Sequence, residues 1–321
     1  MATTFKALGN NDVVFNKTLL HESIPIMLHE VIPITGSIVS GTYGDNNIKN
    51  YSHGMFQSVY DYPYLSSSAN HLFDLAVCYS NNSPISSSSR THNAKKINMY
   101  TSLAQVLMGH ESSGTSTTGV IRKVRDFDED GDLTGGTKIT DAFVINLARL
   151  LTKDEIKKGS FNLELGVNDG FGQPFRKRVA LKDTGANDNF FVNSPAGEYG
   201  ILYATNVTGT ALVNPDADPT TGLGGPKTVK AGLIFYQAGV AVISGSIFDA
   251  TLDASATATG HLSASADLLS DMSEAGNTFE AMLTGTTINN CATAIRRRIY
   301  NLSFNNTTEL HSTIYFCRLH N

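Results

Sequence analysis

The sequence predicts a β-rich α+β fold: an antiparallel, sandwich-like core with an extended N-terminal arm and two helical segments. Three observations lead there. The first is period-two alternation. Phe143, Ile145 and Leu147 alternate with Val144, Asn146 and Ala148, and Phe161, Leu163 and Leu165 alternate with Asn162, Glu164 and Gly166. The second is a series of short apolar runs beyond residue 178, divided by turn-forming residues. The third is a near-repeat close to the N-terminus, Leu20-His21-Glu22-Ser23-Ile24-Pro25-Ile26 and then Leu28-His29-Glu30-Val31-Ile32-Pro33-Ile34.

Residues 1–50 read as an extended assembly arm. Proline removes a backbone donor and drives the preceding residue out of the helical region. Pro25 and Pro33 therefore exclude a regular helix or a central strand here. The apolar side chains around them have to lie on the chain's own core or on a neighbour. Residues 51–135 read as a mixed helix and loop region. Tyr51, Phe56, Tyr60, Tyr62 and Tyr64 have the density of a core or an interface. Ile97, Tyr100, Ala104, Leu107 and Met108 fall at helical spacing, with Asn93 placed to cap that helix and Gly109 to end it. Residues 111–119 read as a Gly/Ser/Thr loop.

Residues 136–260 read as the β-rich core, with further strands expected at 179–182, 190–192, 199–203, 232–236 and 240–244. Residues 261–321 read as a helix plus a terminal β-hairpin. The helix spans 266–283 and follows a low-complexity Ala/Thr/Ser stretch at 251–265. In the hairpin Tyr300, Leu302 and Phe304 alternate, Asn305-Asn306-Thr307-Thr308 turns, and 312–319 returns. No turn closes that last strand before Asn321, so its edge is expected to be covered by a partner or by a continuation of the chain.

Only 17 % of the residues are charged and 41 % are hydrophobic. Such a surface of Ser, Thr, Asn and Gly suits a protein that meets many neighbours, because interface cores are poor in charge. The net charge of −5 excludes a dedicated nucleic-acid binder with a basic stripe. Lys95-Lys96, Lys157-Lys158, Arg176-Lys177-Arg178 and Arg296-Arg297-Arg298 are short and read as solvated faces or interface pairs. Cys78, Cys291 and Cys317 are odd in number and far apart, which predicts neither a disulfide framework nor a zinc site. No apolar leader follows Met1 and no apolar run is long enough to span a bilayer. The chain is expected to be neither exported by a signal peptide nor embedded in a membrane.

One motif resembles a ligand site. Asp126-Phe127-Asp128-Glu129-Asp130-Gly131-Asp132 matches the first half of a calcium loop, with Asp126, Asp128, Asp130 and Asp132 as candidate ligands. The closing position is Thr137 rather than a bidentate glutamate, so the loop is expected to bind no metal. His21-Glu22 and His29-Glu30 are too far apart for the zinc helix, which needs two histidines four apart. Asp183-Thr184-Gly185 has the aspartic-protease triplet without its apolar strand. No phosphate loop, nucleophile elbow or dinucleotide fingerprint is present, and no catalytic or cofactor-binding residue is assigned.

Four strings carry a resemblance. They are Asn47-Ile48-Lys49-Asn50-Tyr51-Ser52-His53-Gly54-Met55-Phe56-Gln57-Ser58-Val59-Tyr60-Asp61-Tyr62-Pro63-Tyr64, Ser194-Pro195-Ala196-Gly197-Glu198-Tyr199-Gly200, Gly232-Leu233-Ile234-Phe235-Tyr236-Gln237-Ala238-Gly239-Val240 and Ser312-Thr313-Ile314-Tyr315-Phe316-Cys317-Arg318. Over most of its length the chain resembles a virion structural protein family of contractile-tailed bacteriophages, cyanophage-like in type. The resemblance implies a place in the virion rather than an activity, and a chain that continues past Phe316-Cys317-Arg318. The doubled Leu-His-Glu-x-Ile-Pro-Ile departs from the single copy expected there.

The expectation is therefore a virion structural protein, made in the host cytoplasm and built as a multimer into the tail, baseplate or neck. Its partners would be copies of itself and other virion proteins. No nucleic acid, membrane, small-molecule substrate or cofactor is expected. One rival is a virion-borne glycan or peptidoglycan hydrolase, which needs a cleft with acidic groups of split pKa. The other is a calcium-stabilised adhesin or receptor-binding module, which needs the acidic loop loaded with metal.

Overall fold

The structure is a computed structural model and describes residues 13–26, 47–116, 119–133, 135–167, 175, 178–206, 230–248 and 279–315. The second Ile-Pro-Ile unit, the 251–265 stretch, most of the expected 266–283 helix and the 316–319 end of the last strand lie outside these residues.

Thirteen strands form one antiparallel sheet. Its spatial order is β1 (Val13–Ile26), β17 (Ile299–Tyr315), β11 (Asn162–Gly166), β12 (Arg178–Lys182), β14 (Gly197–Asn206), β15 (Lys230–Phe235), β16 (Val240–Ser244), β9 (Asp141–Leu147), β4 (His71–Tyr79), β3 (Gln57–Tyr60) and β2 (Ile48–Asn50). β10 (Glu155–Ile156) adds to β17, and β13 (Phe191–Ser194) to β14. Two separate ribbons pair β5 (His110–Ser116) with β6 (Gly119–Val124), and β7 (Phe127–Asp128) with β8 (Lys138–Ile139). Four helices complete the described residues: α1 (Asn93–Leu107), α2 (Arg149–Thr152), α3 (Phe279–Gly285) and α4 (Ile288–Arg296).

The alternation of the strands feeds two apolar clusters. Phe143, Ile145 and Leu147 of β9 join Phe73, Leu163, Leu165, Leu302 and Phe304 in one cluster, closed by α3 and α4. Ala142 and Val144 of the same strand face the other way, with Tyr199, Phe235 and Val242, beneath Tyr100, Ala104 and Leu107 of α1. The sheet also bends. Seven inter-strand steps separate β3 from β11, roughly 34 Å if flat. Yet Gln57 Nε2 on β3 donates to Thr293 Oγ1 on α4 at 3.0 Å, and Arg298, just past α4, donates to Gly166 O on β11 at 3.1 Å. A helix of α4's length spans only about 14 Å. The two halves of the sheet therefore fold over α4, which gives the sandwich-like core.

Local chemistry accounts for the ends of α1. Gly109 adopts a left-handed conformation (φ 76°) and its N–H donates to Ala104 O at 3.0 Å, as a glycine after a helix does. The start corrects the expected cap. Asn93 is the first helical residue, and its Oδ1 accepts from Tyr79 Oη at 2.8 Å instead of capping the backbone.

Three further expectations are corrected. Of residues 111–119, read as a loop, 111–116 and 119 lie in the β5–β6 ribbon, where Glu111 pairs with Lys123 at 2.9 Å. The terminal hairpin does not form. Asn305-Asn306-Thr307-Thr308 runs straight through β17, because β1 supplies ladder partners on one side and β10 on the other. Lys96, Arg296 and Arg298 are not solvated; all three are buried. Among the described residues no helix is long and apolar enough to cross a membrane.

Candidate assembly interface

The side chains that suggested chemistry are engaged in holding the fold. Asp126 turns away from the acidic loop and accepts from Ser80 Oγ and Asn82 Nδ2, both at 2.8 Å. Asp128 is fully buried and accepts from Asp130 N at 3.0 Å and from the Lys138 ammonium. Asp130 in turn accepts from Asp132 N at 3.0 Å, and Lys138 also donates to Gly135 O at 2.6 Å. A lysine ammonium thus sits on the innermost carboxylate, and the loop closes as a ladder of side chain to backbone bonds. Burial and a hydrogen bond between the two carboxyls hold Asp128 above its ordinary value, while that bond draws Asp130 below. Among the described residues no group of three or more His, Cys, Asp or Glu side chains is arranged to hold a metal.

Asp183 of the Asp-Thr-Gly triplet is a latch. It is buried and accepts from Gly159 N at 2.7 Å, Phe161 N at 3.0 Å and Tyr236 Oη at 3.2 Å. Burial raises its pKa and these donors pull it back only in part. His21 and Glu22 lie in β1, opposite Thr307 and Asn306, whereas His29 and Glu30 are outside the described residues. One constellation escaped sequence reasoning because cross-strand register creates it. Ser58 Oγ donates to Asp74 Oδ1 at 2.5 Å, and His71 Nε2 lies 2.8 Å from the same oxygen. A nucleophilic triad needs the histidine between the hydroxyl and the carboxylate. Here the carboxylate stands between, so the group orders the β3–β4 surface.

Apart from Val106, Phe190 and Val192, the exposed large apolar side chains among the described residues lie on β17, on α2 and on the β3–β4 loop. β17 pairs with β11 over its first residues and with β10 at Asn306 and Thr307. Beyond Thr307 its only ladder partner among the described residues is β1, in register from Leu20 opposite Thr308 to Val13 opposite Tyr315. The two strands thus leave the body as a ribbon whose described part, residues 308–315, is roughly 27 Å long at 3.4 Å per residue. Along β17 the face that buries Leu302 and Phe304 continues onto exposed Leu310 and Ile314, and Tyr315 is exposed on the opposite face. Pro25 is accommodated because β1 is an edge strand among the described residues.

The ribbon is anchored at its root. Asn306 Nδ2 donates to Leu151 O at 2.8 Å, and Glu309 N donates to Asp154 Oδ2 at 2.8 Å. Ala148 N, at the start of α2, donates to Leu72 O at 2.9 Å, which ties α2 to the root of β4. From there the β3–β4 loop presents exposed Tyr62, Tyr64 and Leu65, and α2 presents exposed Leu150. The loop is pinned. Asp61 accepts from Asn70 N at 2.6 Å and Asn70 Nδ2 at 2.8 Å, and Asn47 Nδ2 donates to Asp61 O at 3.1 Å.

No protein-family model matches the chain, and neither a curated protein nor a solved structure matches it.

Proposed function

We propose that the chain is a structural protein of a bacteriophage virion, a multimeric component of the tail, baseplate or neck that works through contacts between proteins. The observation that carries this reading is the β1–β17 ribbon, which among the described residues runs past its last ladder contact with the body and leaves Leu310, Ile314 and Tyr315 exposed. An open two-stranded edge with apolar side chains is a site for a partner strand or surface. Support also comes from the strings that carry the phage resemblance. The first forms β2, β3 and the pinned aromatic loop, and the last begins along the ribbon tip. The test is particle composition. Purified particles of the phage encoding the chain, examined by quantitative mass spectrometry and by cryo-electron microscopy with a labelled chain, should contain it at a fixed, multiple copy number. Abundant chain in the infected host with none in the particles would refute the reading.

A further inference from the structure

We infer that the ribbon of one copy docks on the apolar shoulder of a second copy, formed by Tyr62, Tyr64 and Leu65 of the β3–β4 loop with Leu150 of α2. The inference rests on the assembly reading above and names the ribbon's partner. The ribbon's exposed side chains begin beyond its root at Glu309 and Asp154 and extend outward from it. The described body has no ladder partner to offer that stretch. The shoulder is equally uncovered, with Leu65 85 % and Leu150 80 % exposed.

Area argues that the two belong together. Leu310 and Ile314 share one face of β17 and are 48 and 47 % exposed. At about 200 Å² per large side chain that face of the ribbon offers roughly 200 Å² of apolar-residue surface and the shoulder roughly 500 Å². A stable interface of about 1,600 Å² is somewhat over half apolar, so it needs about 900 Å². Neither set reaches that figure alone, and together they supply about 700 Å² of it. The shoulder is also preorganised, because Asp61, Asn70 and Asn47 fix the loop before any partner arrives. Tyrosine is among the residue types enriched at the hot spots of protein interfaces.

The experiment uses the full chain and two surface variants, Ile314→Lys on the ribbon and Leu65→Lys on the shoulder. Both positions are exposed, so each variant should keep the circular dichroism and melting temperature of the parent. The parent should associate in sedimentation velocity. Each variant alone should associate about 30- to 100-fold more weakly, since an unpaired ammonium would enter an apolar contact. Each variant keeps one intact surface. An equal mixture of the two, one isotope-labelled, should therefore form a mixed dimer in native mass spectrometry. Unchanged association of Leu65→Lys, a folded mixture that stays monomeric, or a parent that is monomeric throughout would each overturn the inference. The virion reading would still be decided separately, by particle composition.

Discussion

Lys96 provides the sharpest test of what holds the body together. It closes the first turn of α1 with no solvent exposure, and each of its three ammonium protons has an acceptor. Nζ donates to Thr91 O at 2.8 Å, Leu283 O at 2.5 Å and Thr286 O at 2.8 Å, so one side chain fastens α1 to the segment from α3 to α4. Hydrogen bonds to a charged group contribute about 1.5–3 kcal/mol each. Desolvating the ammonium takes several kcal/mol of that back. Lys96→Met removes the desolvation cost and keeps most of the stem volume, but it leaves three carbonyls without their donor. The net expectation is a loss of about 3–5 kcal/mol. In urea, with a slope of about 2.5 kcal/mol per M, the midpoint should fall by roughly 1.5 M. The pH dependence adds a signature. Burial lowers the Lys96 pKa from 10.5, with Cys291 acting in the opposite sense. Between that lowered value and 10.5 the unfolded chain holds the proton more tightly, so stability from this group rises with pH across that window. The methionine variant should lack that rise. A midpoint within about 0.2 M of the parent would refute the reasoning, because desolvation would then cancel the three bonds.

Asp183→Ala should cost about 3–5 kcal/mol by urea denaturation, since Gly159 N, Phe161 N and Tyr236 Oη lose their shared acceptor inside the core. Asp74 gives an acid-limb prediction. Burial acts to raise its pKa, but hydrogen bonds from His71, Ser58 and Asn146 and the charge of His71 outweigh it and lower the value below 3.8. Its contribution is therefore present above 3.8 and lost as pH falls through the lowered native value. Asp74→Asn should flatten that part of the acid unfolding curve, and an unchanged curve would count against the assignment. Gly131 has φ 79°, and a Cβ there would run into the Phe191 ring. Gly131→Ala should lower stability by about 1–3 kcal/mol, and a neutral outcome in thermal melts would mean that the loop has room to shift.

The parts of this fold that were legible in the sequence are those whose local pattern and tertiary environment agree. Leu163 and Leu165 alternate with polar residues and are buried on one face of β11. Tyr100, Ala104 and Leu107 recur at helical spacing and lie under α1, and Gly109 ends that helix. The misread parts are those where distant chain overrides local preference. Four turn-forming residues, Asn305 to Thr308, became the middle of a strand because β1 and β10 supply hydrogen-bond partners from residues more than 140 positions away. Lys96 and Arg298 looked like solvent-facing charges because no local pattern announces backbone carbonyls contributed by α3 or β11. The Ser58, His71 and Asp74 group was invisible for the same reason: strand register, not sequence spacing, brings Ser58 opposite Asp74.

This distinction bears on the ribbon. A strand segment whose turn-forming residues are held extended only by partners on both sides loses half of that support once it passes β10. Beyond Thr307 a single ladder to β1 remains among the described residues, and an isolated two-stranded ribbon is marginally stable in water. Its apolar face then has two ways to gain stability, contact with other surface or loss of the ribbon geometry. The first requires a partner that offers apolar area at fixed geometry, which the pinned Tyr62, Tyr64 and Leu65 loop provides on every copy. Association should therefore order the ribbon as well as bury it. Amide exchange from Thr308 to Tyr315 should slow on assembly by more than it does in β11 or β12, whose strands already have neighbours on both sides in the free chain. Equal protection of the ribbon in free and assembled chain would mean that the ribbon is stable on its own and that docking adds nothing to its order.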